Sequence, residues 1–142
     1  IAGGQFLDLS FEHKKISKKK IIEMEIKKTG KLFSFCCMAP VILKNKKIKI
    51  INSFEKIGSD IGLLFQIADD MIDYQGNSKI AGKKTRKDEK QGKATLISLL
   101  GYKNAIKYSD KIKSNIINDL KKYGSSSKNI IETLNYILTR SK

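Results

Sequence analysis

Apolar residues recur at intervals of three and four along nearly the whole chain, which contains a single proline, Pro40. That spacing places one apolar stripe on each segment and predicts an all-α protein. The opening "IAGGQFLDLSF" reads as the end of a helix, and "EHKKISKKK" as a basic connector. A second helix is expected to begin near Lys18 and to run through "IIEMEIKK" to a weak point at Thr29 and Gly30. Its register resumes as "KLFSFCCMAPVIL" and stops at the polar break from Asn45 to Lys47. The longest apolar segment extends from about Ile48 to Tyr74. Ile51, Phe54, Ile57, Ile61, Leu64, Phe65, Ala68 and Ile72 give it a wide face that calls for deep burial. Gln75 to Lys93 is rich in Gly and Lys and has no period; structureless connections of that length are uncommon in compact domains unless functional or disordered. Two more helices are expected, from Ala94 to about Tyr123 and from about Ser126 to Thr139, separated by "YGSSS".

Composition adds bounds to this outline. With 142 residues, 40% of them apolar and 30% charged, the chain can build one core and is not a disordered polymer. A formal charge of +15 suggests an anionic partner: nucleic acid, a phospholipid surface or a small phosphate ester. Lysine, isoleucine and asparagine are nevertheless heavily used throughout, so most of the excess reads as solvated surface. Cys36 and Cys37 are the only cysteines; adjacent residues are poorly placed to bridge each other, and an apolar setting suggests two buried small hydrophobes in a reducing compartment. No apolar run approaches the roughly 20 residues that span a bilayer, and no signal-peptide pattern occurs. A soluble, cytoplasmic protein is the expectation. The chain opens on Ile1, directly in helix-like spacing without a cap, which reads as a piece of a longer polypeptide.

The candidate chemistry lies in "IGLLFQIADDMIDYQGN". Asp69 and Asp73 are four residues apart, so a helix sets them on one face with Cβ atoms about 5–6 Å apart; Asp70 lies about 100° round. Carboxylates so placed repel each other and meet the negative end of the helix dipole. Nearby lysines, solvent or a divalent cation would compensate. Oxygen ligands without histidine or thiol suit Mg²⁺, which binds one or two carboxylates, keeps waters and shares substrate phosphates. Lys83, Lys84, Arg86, Lys87 and Lys93 follow closely and are suited to the same phosphates. Spacing alone leaves a magnesium diphosphate site level with simple ion pairing between the aspartates and this basic loop. His13, the only histidine, sits in the connector, so neither a histidine triad nor a zinc cluster can form. Phosphate-binding GxxxxGK[ST] and GxGxxG loops are absent, and metal-held diphosphate is a leaving group that needs no histidine.

Five strings in order, "GGQFLDL", "KKTGKLF", "IGLLFQIADDMIDYQGN", "GKKTRKDEKQGKAT" and "YILTRSK", resemble the C-terminal half of trans-polyprenyl diphosphate synthases, with bacterial farnesyl diphosphate synthases as the nearest type. The resemblance covers essentially the whole chain, residues 1–142, as the C-terminal part of one domain. It implies an isoprenoid synthase-type helical bundle around a deep cavity. It further implies Asp69 as the principal Mg²⁺ ligand, with Mn²⁺ as an alternative metal, supported by Asp70 and Asp73. Asp8 and Gln5 fall in the "GQxxD" motif, Asp8 joining the metal set. Lys28, Gln66, Lys83 and Lys93 are implied contacts of the allylic diphosphate, Thr29 lies beside the departing oxygen, and Arg140 and Lys142 belong to a tail over the second substrate. The implied reaction joins an allylic diphosphate, dimethylallyl or geranyl, to isopentenyl diphosphate, in a protein that is a homodimer when full length.

No counterpart of the family's first aspartate-rich motif occurs in these residues. The expectation is therefore that this chain alone has no meaningful synthase activity and exposes an apolar face. Two other readings stand beside it. One is a non-catalytic subunit of a heteromeric prenyl synthase. The other is a basic nucleic-acid-binding protein, which lacks any helix-turn-helix, finger or RNA-binding signature.

Overall fold

A computed structural model describes residues 1–75, 88 and 91–139. Among them the secondary structure is helical, without a strand. Helix α1 (Ala2–Ser10) leads through the basic connector to α2 (Lys18–Glu25), a π turn (Ile26–Gly30) and α3 (Lys31–Leu43). Helix α4 (Ile48–Gln75) follows, then α5 (Leu96–Leu100), α6 (Tyr102–Leu120), a 3₁₀ segment (Lys121–Ser127) and α7 (Lys128–Thr139).

Helix α4 is the axis of the assembly. Its 28 residues span roughly 42 Å at 1.5 Å per residue, and α3, α6, α7, α5 and the π turn all pack on it. The sequence pattern assigns it one wide apolar face. From Ile61 onward burial instead extends round its girth, with Leu63, Leu64, Ile67, Ala68, Met71 and Ile72 all in the core. Only an element surrounded by others can bury so much of its circumference. Ile21 and Met24 from α2, Leu96 from α5, Ile116 and Leu120 from α6 and Leu134 from α7 close the core around it.

Backbones approach closely where glycine permits it. An added Cβ at Gly62 would stand 2.6 Å from the Gly30 Cα, and one at Gly58 would stand 2.7 Å from the Ser34 Cα. At Gly4 the added atom would run into the backbone of Lys28, seating α1 directly on the π turn. The Thr29–Gly30 weak point in the sequence is thus not a break but a single widened turn that keeps α2 and α3 continuous. Wide turns of this kind often lie at functional sites.

Two sequence expectations are corrected here. The segment from Ala94 to Tyr123 is two helices, not one: Gly101, with φ of 77° and ψ of 153°, separates α5 from α6, and the latter ends at Leu120. The apolar spacing continues across Gly101 because both helices face the same core. Second, the cysteines are not buried: Cys36 is exposed and Cys37 is half-buried, because α3 turns its other side, with Ser34 and Phe33, toward α4. The outward side also carries Leu32, Phe35 and Leu43, the last 81% exposed, and Phe6 and Leu9 on α1 are exposed too. His13 in the connector is exposed at φ of 57°; its backbone N–H donates to the Gly92 carbonyl at 2.8 Å and its ring lies against Gly92. No helix among the described residues is long and apolar enough to cross a membrane.

Candidate active site

The C-terminal half of α4, the end of α2, the π turn and the stretch before α5 enclose a polar cavity of about 270 Å³. Among the described residues six carboxyl groups line it, from Asp8, Glu25, Asp69, Asp70, Asp73 and Asp88, against two lysines, Lys28 and Lys93. An acidic hollow inside so basic a chain is a local concentration of charge that calls for a cation.

Hydrogen bonds order most of these groups. Lys28 Nζ lies 2.7 Å from Asp8 Oδ2. Thr29 Oγ1 donates to Gln66 Oε1 at 3.2 Å, and the Gln66 amide donates to Asp70 Oδ1 at 2.9 Å. This chain links the π turn to the aspartate face of α4 through a residue one turn before Asp70. Asp73 Oδ2 accepts the backbone N–H of Asp88 at 3.1 Å, and Lys93 Nζ sits 2.9 Å from Asp88 Oδ1. Thr95 and Ser98 cap α5 reciprocally, anchoring the segment that carries Lys93.

Burial makes two of the acids, Asp70 and Glu25, reluctant to ionise. Asp8, Asp70 and Asp73 are each 4–5% exposed and Glu25 is 3% exposed. Loss of hydration pushes the Asp70 carboxyl up to about 8, against the hydrogen bond from Gln66 and with help from the charges of Asp88 and Asp69. It pushes Glu25 up to about 9, reinforced by Asp70 and opposed by Lys28. Among the described residues Glu25 Oε2 has no hydrogen-bond partner. Among the described residues no three of these side chains converge as a preformed metal cage. An ion held by one or two carboxylates, its waters and a ligand's oxygens is what such a wall accommodates, and that is the habit of Mg²⁺.

Residues 1–135 match the polyprenyl synthetase family. The chain belongs to that family. This polyprenyl synthetase chain is 30% identical over 139 residues to a farnesyl diphosphate synthase of Micrococcus luteus, covering 98% of itself and 48% of that protein. Over 142 residues it is 30% identical to a geranylgeranyl diphosphate synthase of Cyanophora paradoxa, covering 99% of itself and 47% of the relative. It superposes on a Helicobacter pylori geranyltransferase, solved with magnesium and isoprenyl diphosphate, with a TM-score of 0.79 and 28% identity, over 97% of this chain and 45% of the other. Its fold is therefore the all-α isoprenoid synthase fold. The chain spans about half the length of the curated relatives it matches.

Of the residues singled out in the sequence, Asp8, Lys28, Gln66, Asp69, Asp70, Asp73 and Lys93 line the one cavity, although they are spread over 86 positions of the polyprenyl synthetase chain. Thr29 joins them through Gln66. Gln5 is exposed and outside the lining. Lys83 and Arg140 lie outside the described residues, as do Lys84, Arg86, Lys87 and Lys142. Among the described residues, Lys93 pairs with Asp88, whose backbone N–H donates to Asp73; the rest of the basic loop, on which the ion-pairing alternative falls, lies outside them. Glu25, Asp88 and Thr95 were missed. Glu25 had a signal, since it follows Ile21 and Met24 on the apolar face of α2 and precedes Lys28 by three residues. Asp88, embedded in "RKDEKQGK", had none.

Proposed function

We propose that residues 1–142 are the C-terminal part of a short-chain trans-prenyl diphosphate synthase of farnesyl type, carrying the half of the site that binds the allylic diphosphate. The observation that carries this reading is the convergence of the α4 aspartates, Gln66, Lys28 and Lys93 on one acidic cavity in a chain of this family. Asp69, with Asp70 and Asp73, would supply carboxylate oxygens to Mg²⁺, or to Mn²⁺ in its place, with Asp8 in the same lining. Bound there, the metal would neutralise charge gathering on the departing diphosphate. Lys28, Lys83 and Lys93 hold diphosphate oxygens with fixed positive charge, which favours the state in which the allylic carbon–oxygen bond is breaking. Asp8 keeps the Lys28 ammonium extended into the cavity before substrate arrives. Thr29 lies beside the leaving oxygen, oriented by Gln66. Arg140 contributes from the tail. The double bond of isopentenyl diphosphate takes up the allylic cation, and the proton is lost to the released diphosphate, so no histidine is required.

The exposed apolar surface of α1 and α3 is covered in the whole protein, a cytoplasmic homodimer, by the half that this chain does not span. Dimethylallyl or geranyl diphosphate is the allylic partner, and farnesyl diphosphate the product. Calorimetry with geranyl diphosphate tests the site: uptake is expected only with Mg²⁺ and is expected to vanish in Asp69→Ala. Binding that ignores both the metal and Asp69 would sink the proposal.

A further inference from the structure

Glu25 ends α2 with its side chain in the cavity and is only 3% exposed. Ile21 and Met24 on the same helix are buried with it, each 1% exposed. Its Oε2 is buried without a partner among the described residues. Such an atom costs about 1–3 kcal/mol, more when charged, and in a native fold it points to an unseen ion or ligand. The described donors along this wall are directed elsewhere: Lys28 to Asp8, the Gln66 amide to Asp70, Lys93 to Asp88 and the Thr29 hydroxyl to Gln66. Burial keeps a proton on this carboxyl in the metal-free chain, and a hard cation that takes up its oxygen displaces that proton.

We infer that Glu25 is a further cation-binding residue, giving the inner wall beside Asp70 a divalent-ion position of its own. The inference rests on the reading of the cavity as a metal and diphosphate site and adds to it a ligand from α2, outside the aspartate motif. Glu25 and Asp70 would supply one carboxylate oxygen each, and water the remaining ligands, in keeping with the absence of a three-carboxylate cage among the described residues.

Mn²⁺ titration of the 142-residue chain, followed by the loss of the free-ion electron paramagnetic signal, with and without inorganic diphosphate, tests it. Glu25→Gln keeps the shape and a hydrogen-bonding oxygen but removes the charge, and is expected to weaken Mn²⁺ binding at least about tenfold. Glu25→Asp, which keeps the carboxylate, is expected to recover part of that loss, which separates ligation from a packing defect. Circular dichroism of both variants establishes that they are folded. Mn²⁺ affinity in Glu25→Gln equal to that of the parent overturns the inference while leaving the diphosphate reading intact. A parent chain that takes up no Mn²⁺ even with diphosphate, and behaves like Asp69→Ala, overturns both.

Discussion

Gly62→Ala isolates the contact that fixes the π turn against α4. An ideal Cβ at this position stands 2.6 Å from Gly30 Cα, 3.1 Å from Gly30 N and 3.2 Å from Phe33 Cδ2. Carbon atoms settle at about 3.5–4.0 Å, so α4 and the turn must part by about 1 Å. The obstructing atoms are mostly backbone and cannot rotate away. Overpacking of this kind costs about 1–3 kcal/mol, while alanine returns at most about 1 kcal/mol in helix propensity. The clash wins by about 1–2 kcal/mol, a fall in Tm of roughly 3–8 °C for a chain of this size. Gly3→Ala is the control: its Cβ meets nothing within 4 Å, so the propensity gain stands alone and Tm holds or rises slightly. Because Gly30 ends the turn bearing Lys28 and Thr29, Gly62→Ala is also expected to weaken Mg²⁺-dependent diphosphate binding. Thermal unfolding by circular dichroism reads the first effect and calorimetry the second. A Gly62→Ala protein as stable as the parent refutes the close approach.

Other outcomes follow from the same wall. Folded Glu25 keeps its proton up to about pH 9, whereas the unfolded group releases it near 4.5. Stability from this group is therefore complete below pH 4.5 and is lost as pH rises toward 9. Glu25→Gln in chelator should flatten that decline and add about 3–4 kcal/mol at pH 7, from roughly 1.4 kcal/mol per unit over the interval from 4.5 to 7; parallel denaturation profiles for the two proteins from pH 5 to 9 would contradict it. Lys28→Ala leaves Asp8, 4% exposed, without its cation, at a cost of about 1–3 kcal/mol that Asp8→Asn in the same background should largely restore, read by urea midpoints. Steady-state assays of the 142-residue chain with allylic and homoallylic diphosphates and Mg²⁺ are expected to show no robust prenyl transfer. With Phe6, Leu9, Leu32, Phe35 and Leu43 exposed, the same preparation should bind a hydrophobic dye and self-associate on ultracentrifugation; a dye-silent monomer would argue that this surface needs no cover.

Much of the architecture was legible because helices declare themselves locally. The 3.6-residue period marked α1, α2, α3, α4 and α7 nearly to their ends, since the stripe that each helix buries is written in its own residues. The same period misled between Ala94 and Tyr123: Gly101 turns the chain by backbone conformation, φ of 77°, which apolar spacing does not encode. For Cys36 and Cys37 the surrounding run is apolar on all sides of α3, so composition could not say which side α4 takes; Gly58 and Gly62 decided that by admitting the face with Ser34.

The site divides in the same way. By itself the sequence determined the acids of α4, the lysine and threonine of the turn and the family they belong to, because those are short strings with their own spacing. Only the tertiary structure decided that Asp8 would neutralise Lys28 across 20 positions, that Asp88 would arrive beside Asp73, and that Glu25 would lie buried with a bare oxygen. Charge, burial and partnership are properties of surroundings, and the surroundings of a side chain come from helices distant in the chain.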